Sequence, residues 1–122
     1  MKVRGIRGAV QVEANTPEAI LDAARRLITE MVRANGVEPD DVAAVIFTCT
    51  SDLDATFPAE AARALGWDRV PLLCSREMDV PGSMPRVLRV LMLVNTTLTQ
   101  DEVVHVYLGE AERLRPDLRS AQ

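Results

Sequence analysis

The stretch RVLRVLMLVNT, Arg86 to Thr96, decides the fold: a long apolar run interrupted by a single internal arginine, Arg89. With the turn-bearing PGSMP before it and the polar TLTQDE after it, the run has the length and β-branched content of a strand. An arginine stays charged, and placing it among apolar neighbours is costly unless an anion meets it there. Arg89 shares its side of the strand with Val87, Leu91 and Leu93, so it points either into a pocket or into a core that cannot hold it. Just upstream, VPLLC (Val70–Cys74) reads as another strand.

Working outward, KVRGIRGAVQVE (Lys2–Glu13) is a strand with Val3, Gly5, Arg7 and Ala9 on one side and Arg4, Ile6, Gly8 and Val10 on the other. Arg7 therefore has small neighbours and free space beside it. Thr16 can cap a helix that begins with Pro17 and Glu18. Its core side is Ile20, Leu21, Ala24, Leu27, Ile28, Met31 and Val32, and Asn35-Gly36 stops it. A turn at VEPDD leads to a buried strand over Val42–Cys49, then a loop and a short helix from near Pro58. Towards the C-terminus, VVHVYL (Val103–Leu108) reads as a short strand, and GEAERLRPDL fits helix or coil. The tail from about residue 112 has little to bury and is expected to move. The order β-α-β-α-β-β-β predicts one domain of the α/β or α+β class, a mixed sheet with helices packed on one side.

Composition narrows the function. A chain of 122 residues can bury roughly two thirds of its unfolded surface, enough for one core. Aromatics are only 3%, so aliphatic side chains must build that core. A net charge of -4 with no block of like charge argues against a nucleic-acid or membrane-surface partner, though a small anion can still bind locally. Thirteen of the 14 basic residues are arginine, which fits a GC-rich or heat-tolerant source as well as carboxylate binding. Cys49 and Cys74 stand in no metal-binding or disulfide-framework spacing, and no stretch has signal-peptide or membrane-span character; a cytoplasmic location is expected.

Phosphate-binding loops, nucleophile elbows and zinc-binding helices leave no trace, and the lone His105 lacks a partner pattern, so no cofactor or metal is expected. Cys49 reads as core; Cys74, at the end of a strand three residues before Glu77, is open to either reading. What remains is arginines on structured elements: Arg7, Arg63, Arg89 and Arg115. Singly, each fits a surface or ion-pair role, and Arg63 could pair with Glu60 one turn earlier. Only Arg89 demands a pocket. Guanidinium forks without a nucleophile suit a polycarboxylate whose reaction needs charge stabilisation rather than proton transfer.

RGIRGA, ATFPAEAAR, VPLLCSREMDVPGSMPRVLRV, and HVYL followed by LRPDL closely resemble, in the same order and over nearly the whole chain, the small monofunctional chorismate mutases of the trimeric, barrel-like class. The resemblance implies conversion of chorismate to prephenate on the route to phenylalanine and tyrosine, with no cofactor. It also implies a homotrimer forming a pseudo α/β barrel with interfacial active sites. Arg89 is then the cation at the ether oxygen of the breaking bond. Arg7 with Tyr107 holds a carboxylate, while Glu77 and Cys74 meet the ring-hydroxyl side. Leu73, Ser75 and Arg76 join the substrate-binding set, Phe57 and Arg63 come from the neighbouring subunit, and Leu114 and Arg115 close the mouth. Glu60 and Val104 stand where some family members carry basic residues, which removes those two cationic contributions. The competing expectation is a trimeric anion-binding or regulatory module of related fold. Glu77 beside Arg89 separates the two, since a module that only binds dianions has little use for a carboxylate in its pocket.

Overall fold

Hydrophobic spacing and end signals place the elements. In a computed structural model that describes residues 1–114, the chain runs through strand β1 (Lys2–Gln11), helix α1 (Pro17–Asn35), strand β2 (Val42–Cys49), helix α2 (Ala59–Ala64) and strands β3 (Leu72–Arg76), β4 (Val87–Thr96) and β5 (Val106–Leu108). Short 3₁₀ segments lie at Pro39–Asp41 and Gly109–Leu114. Helix α1 starts where the Thr16 hydroxyl accepts the Ala19 amide at 3.1 Å, immediately before Pro17. It stops at Gly36, whose φ of 60° turns the chain left-handed and returns its amide to the Val32 carbonyl.

The five strands form one mixed sheet in the order β3-β2-β4-β1-β5. Strand β4 is central and antiparallel to both neighbours, while β1 with β5 and β2 with β3 are parallel pairs. The architecture is the expected α+β sandwich. Ile6, Val10, Val45, Phe47, Leu88, Val90 and Met92 are buried with Ile20, Leu27, Ile28 and Met31 of α1, so the core lies between the sheet and the helices. Gly8 lets α1 come this close: a Cβ there would lie 2.5 Å from the Met31 sulfur and 3.0 Å from Leu27 Cδ1. On the opposite face Leu73 is 60% exposed, Val3 54% and Leu91 36%, an apolar sheet surface with no covering layer among the described residues.

Two strands depart from the sequence reading. Strand β3 begins two residues later than VPLLC implies and runs on to Arg76. Pro71 has no amide to give, so it joins the pairing only through its carbonyl, which accepts the Val45 amide at 3.0 Å. At the far end the Glu77 amide donates to the Cys49 carbonyl at 2.8 Å. Strand β5 is only Val106–Leu108 because the preceding residues have other partners. The Asn35 side chain takes both backbone groups of Val104, at 2.7 and 2.9 Å, and the His105 ring accepts the Arg7 amide at 3.0 Å where a backbone carbonyl would continue the ladder. The ambiguous GEAERL is 3₁₀ helix with Ala111 buried, and the tail beyond Leu114 lies outside the described residues.

Two stability experiments follow from this packing. Gly8→Ala should destabilise the fold by ~1–3 kcal/mol, read as a lower denaturant midpoint at unchanged slope. An unchanged midpoint would show that α1 does not rest on β1 at this point. Burial, followed by the nearby Cys74 and Asp52, pushes the Cys49 thiol up from 9.0 to about 11. The folded state therefore binds this proton more tightly than the unfolded state, and stability contributed by Cys49 is lost as pH rises from about 9 to about 11. That alkaline loss should shrink in Cys49→Ala; an identical loss would assign it to other groups.

Candidate active site

Residues directly opposite one another in a sheet project from the same face. The register therefore fixes a row across the uncovered face: Ser75 on β3, Thr48 on β2, Arg89 on β4, Ala9 on β1 and Tyr107 on β5. One step along the strands, the next row is Leu73, Ile46, Leu91 and Arg7. Arg7 and Arg89 are thus diagonal neighbours on adjacent strands, with only Ala9 between Arg89 and Tyr107. The small residues leave a cavity of about 240 Å³ lined by Arg7, Arg89, Thr48 and Tyr107 together with Ile46 and Leu91. Arg89 points into a pocket and not into the core.

Glu77, just past β3, reaches back over this row. Its Oε2 lies 3.3 Å from Arg89 Nε, an ion pair between side chains that are 30% and 39% exposed. The contact lacks the alignment of a hydrogen bond: Nε is buried, and no group among the described residues accepts from it. The carboxylate is anchored elsewhere. Thr48 Oγ1 donates to Oε2 at 2.9 Å, and the Met78 amide donates to Oε1 at 3.2 Å. Glu77 therefore keeps its position without Arg89. The guanidinium stays charged beside Arg7 and is available to an anion entering the cavity.

Thr48 is the residue that sequence reasoning missed. Its signal was alternation within β2, where Val45, Phe47 and Cys49 are buried and Ile46 and Thr48 are only partly so. A reading of the whole run as buried hides that pattern.

Apart from Ser75, which shares the row of Arg89, the other expected site residues do not join it within one chain. Cys74 is registered opposite Phe47, on the helix-covered side, and packs against the core. Phe57, 67% exposed, lines a separate cavity of about 560 Å³ with Cys74, Ser75 and Arg76 at the start of α2. Arg63 is exposed on α2 and forms no ion pair among the described residues; Glu60 instead accepts from the Thr56 hydroxyl at 3.4 Å. Leu73 stands exposed on the sheet face. Leu114 lines a third cavity, of about 630 Å³, near Gln11 and Met84, and Arg115 lies outside the described residues.

Comparison with known proteins identifies the family. The profile of the family described as chorismate mutase type I matches residues 3–118. Over 121 residues the chain is 63% identical to chorismate mutase AroH of Thermus thermophilus, covering 98% of this chain and 99% of that one. Identity to chorismate mutase AroH of Bacillus subtilis (strain 168) is 45% over 119 residues, 97% and 94% of the two chains. A solved chorismate mutase from Clostridium thermocellum superimposes with a TM-score of 0.88 at 47% identity, covering 89% of this chain and 97% of that structure. With a family profile spanning nearly its whole length and relatives this similar, the chain belongs to the chorismate mutase type I family.

Proposed function

We propose that this chorismate mutase rearranges chorismate to prephenate in a pocket built by two copies of the chain, for the synthesis of phenylalanine and tyrosine. The observation that carries this reading is the pair of arginines, Arg7 and Arg89, sharing one cavity with an independently anchored Glu77. Chorismate has two carboxylates, and its rearrangement is pericyclic: an ether C–O bond breaks while a C–C bond forms. No proton or electron pair passes to or from the protein, so the chemistry requires no cofactor. Bond breaking runs ahead of bond making, and negative charge gathers on the ether oxygen. A fixed guanidinium at that oxygen binds the transition state better than the substrate.

In this reading Arg89 is that cation. Arg7 and the Tyr107 hydroxyl hold a carboxylate, and Glu77 faces the ring, where positive charge develops. These contacts select the compact substrate shape that reacts. The uncovered sheet face supports an assembly: exposed Val3, Leu73 and Leu91 form an apolar surface that a second copy can cover. We assign a homotrimer with cyclic, heterologous interfaces, each bringing Phe57 and Arg63 of one subunit to the arginines of the next. Cys74, Ser75 and Arg76 share the Phe57 cavity and join that wall; a role for Leu114 and Arg115 at the mouth rests on the family resemblance alone. We assign the enzyme to the cytoplasm, with its pathway.

A pocket that merely binds dianions would not lose catalysis when one arginine loses its charge at constant shape. Citrulline at position 89 keeps the shape and most hydrogen-bond donors but no charge. It should lower kcat by ~10²–10³-fold, the scale for losing one oxyanion donor. Near-normal turnover would overturn the electrostatic account.

Shared sites make a second prediction. An Arg89→Ala chain and a chain with both Phe57→Ala and Arg63→Ala should each be inactive alone. Refolded together in equal amounts, they should recover roughly one site in four, because an intact site needs Arg89 from one chain type and Phe57 with Arg63 from the other. Absence of recovery in mixed trimers verified by mass would mean that each subunit builds its site alone.

A further inference from the structure

Arg86 is the only non-glycine among the described residues with a positive φ, at 51°. An arginine holds this left-handed conformation only where its surroundings over-determine it. Those surroundings are Asp52. The Arg86 amide donates to both carboxylate oxygens, at 3.1 and 3.0 Å, and the Thr50 hydroxyl donates to Oδ1 at 2.5 Å. Thr50 is itself tied to β4: its hydroxyl accepts the Val87 amide at 3.0 Å, and its own amide donates to the Val87 carbonyl at 3.1 Å. On the other side, Arg86 Nε donates to the Val12 carbonyl at 2.9 Å, and the Val12 amide donates to the Arg86 carbonyl at 2.6 Å.

The loop between Glu77 and Arg86 is thereby fastened at both ends to one short segment. Thr48 and Cys49 hold Glu77, while Thr50 and Asp52 hold Val87 and Arg86. Arg89 lies three residues past the left-handed turn, and the turn sets where β4 begins. Because side chains alternate along a strand, a small slip there moves the guanidinium off the Glu77 row.

We infer that Asp52 is a positioning residue for catalysis: by clamping the left-handed turn at Arg86, it fixes the start of β4 so that Arg89 is delivered opposite Glu77. The inference rests on Arg89 being the catalytic cation, which the citrulline variant tests separately. Asp52 acts through the turn and need not touch substrate.

The test is a double-mutant cycle on the full-length enzyme with chorismate as substrate, using Asp52→Ala, Arg86→Gly and the double variant. Glycine takes a φ near 51° without strain, so residue 86 should then no longer need its clamp. Asp52→Ala should lower kcat and kcat/KM together by ~10- to 100-fold, with secondary structure and assembly as in the wild type. The same change in the Arg86→Gly background should alter kcat by about twofold or less. If Asp52→Ala fails to fold, Asp52→Asn replaces it in the same cycle; it keeps the shape but loses one acceptor, and a fall in kcat of roughly threefold or more is expected. A folded Asp52 variant with kcat within about twofold of wild type overturns the inference. So does a loss equally large with glycine at position 86, since the carboxylate would then act through something other than the turn. Such a failure, beside a citrulline variant that is inactive, leaves the role of Arg89 intact.

Discussion

The structure turns on one cation that cannot give up its charge. Arg89 sits on the central strand of the sheet, between Ala9 of β1 and Thr48 of β2 and diagonal to Ile46, yet its guanidinium must remain charged. Two features make that tolerable. The row of Thr48, Arg89, Ala9 and Tyr107 lies on the uncovered face, so the charge keeps contact with solvent, and Glu77 stands 3.3 Å away. The ion pair is modest because both side chains are partly exposed and the Nε geometry is poor for a hydrogen bond. In the proposed reaction that weakness has a use. A tightly paired arginine would have to be pulled from its carboxylate before it could meet an anion, whereas Thr48 and the Met78 amide hold Glu77 independently.

Small residues do the remaining work of placement. Gly8 allows α1 to press against β1, which buries the back of the strand whose front carries Arg7. Gly5 and Ala9 flank Arg7 along the strand, and Ala9 also separates Arg89 from Tyr107 across the sheet. Helix α1 reaches further than its own packing, since Asn35 in its last turn pins Val104 next to His105. The imidazole then takes the Arg7 amide. His105 thus contributes to where the Arg7 strand lies, through its ring acceptor and without acid–base chemistry.

Much of this was legible in the sequence, for reasons that can be named. Thr16-Pro17 and Asn35-Gly36 marked α1 to the residue because caps act locally. The RVLRVLMLV run gave β4, and its single arginine announced the pocket. What stayed hidden depended on long-range pairing. The two-residue shift of β3 comes from how Pro71 and Glu77 meet β2, and the shortness of β5 comes from side chains of Asn35 and His105 replacing backbone partners. Thr48 was obscured because β2 is apolar enough to read as buried on both faces. Phe57 and Cys74 were drawn into the site by family resemblance alone, and within one chain they lie on a different cavity from Arg89.

That separation bears on why the protein would assemble at all. One chain presents an apolar sheet face with two arginines in it, a surface unfavourable to expose and too open for strong electrostatics. Opposite charges a few ångströms apart attract several times more strongly near a protein surface than in bulk water, and more again as water is excluded. A second copy laid over the face in the proposed trimer removes the exposed Leu73 and Leu91 from solvent and lowers the dielectric around Arg7 and Arg89 in the same step. A pericyclic reaction gains from this more than a proton-transfer reaction would, because charge stabilisation and substrate shape are all the protein can offer it. Association and catalysis then depend on a single burial event, and a change that loosens the interface should weaken the field at the ether oxygen even where every residue touching substrate is left in place.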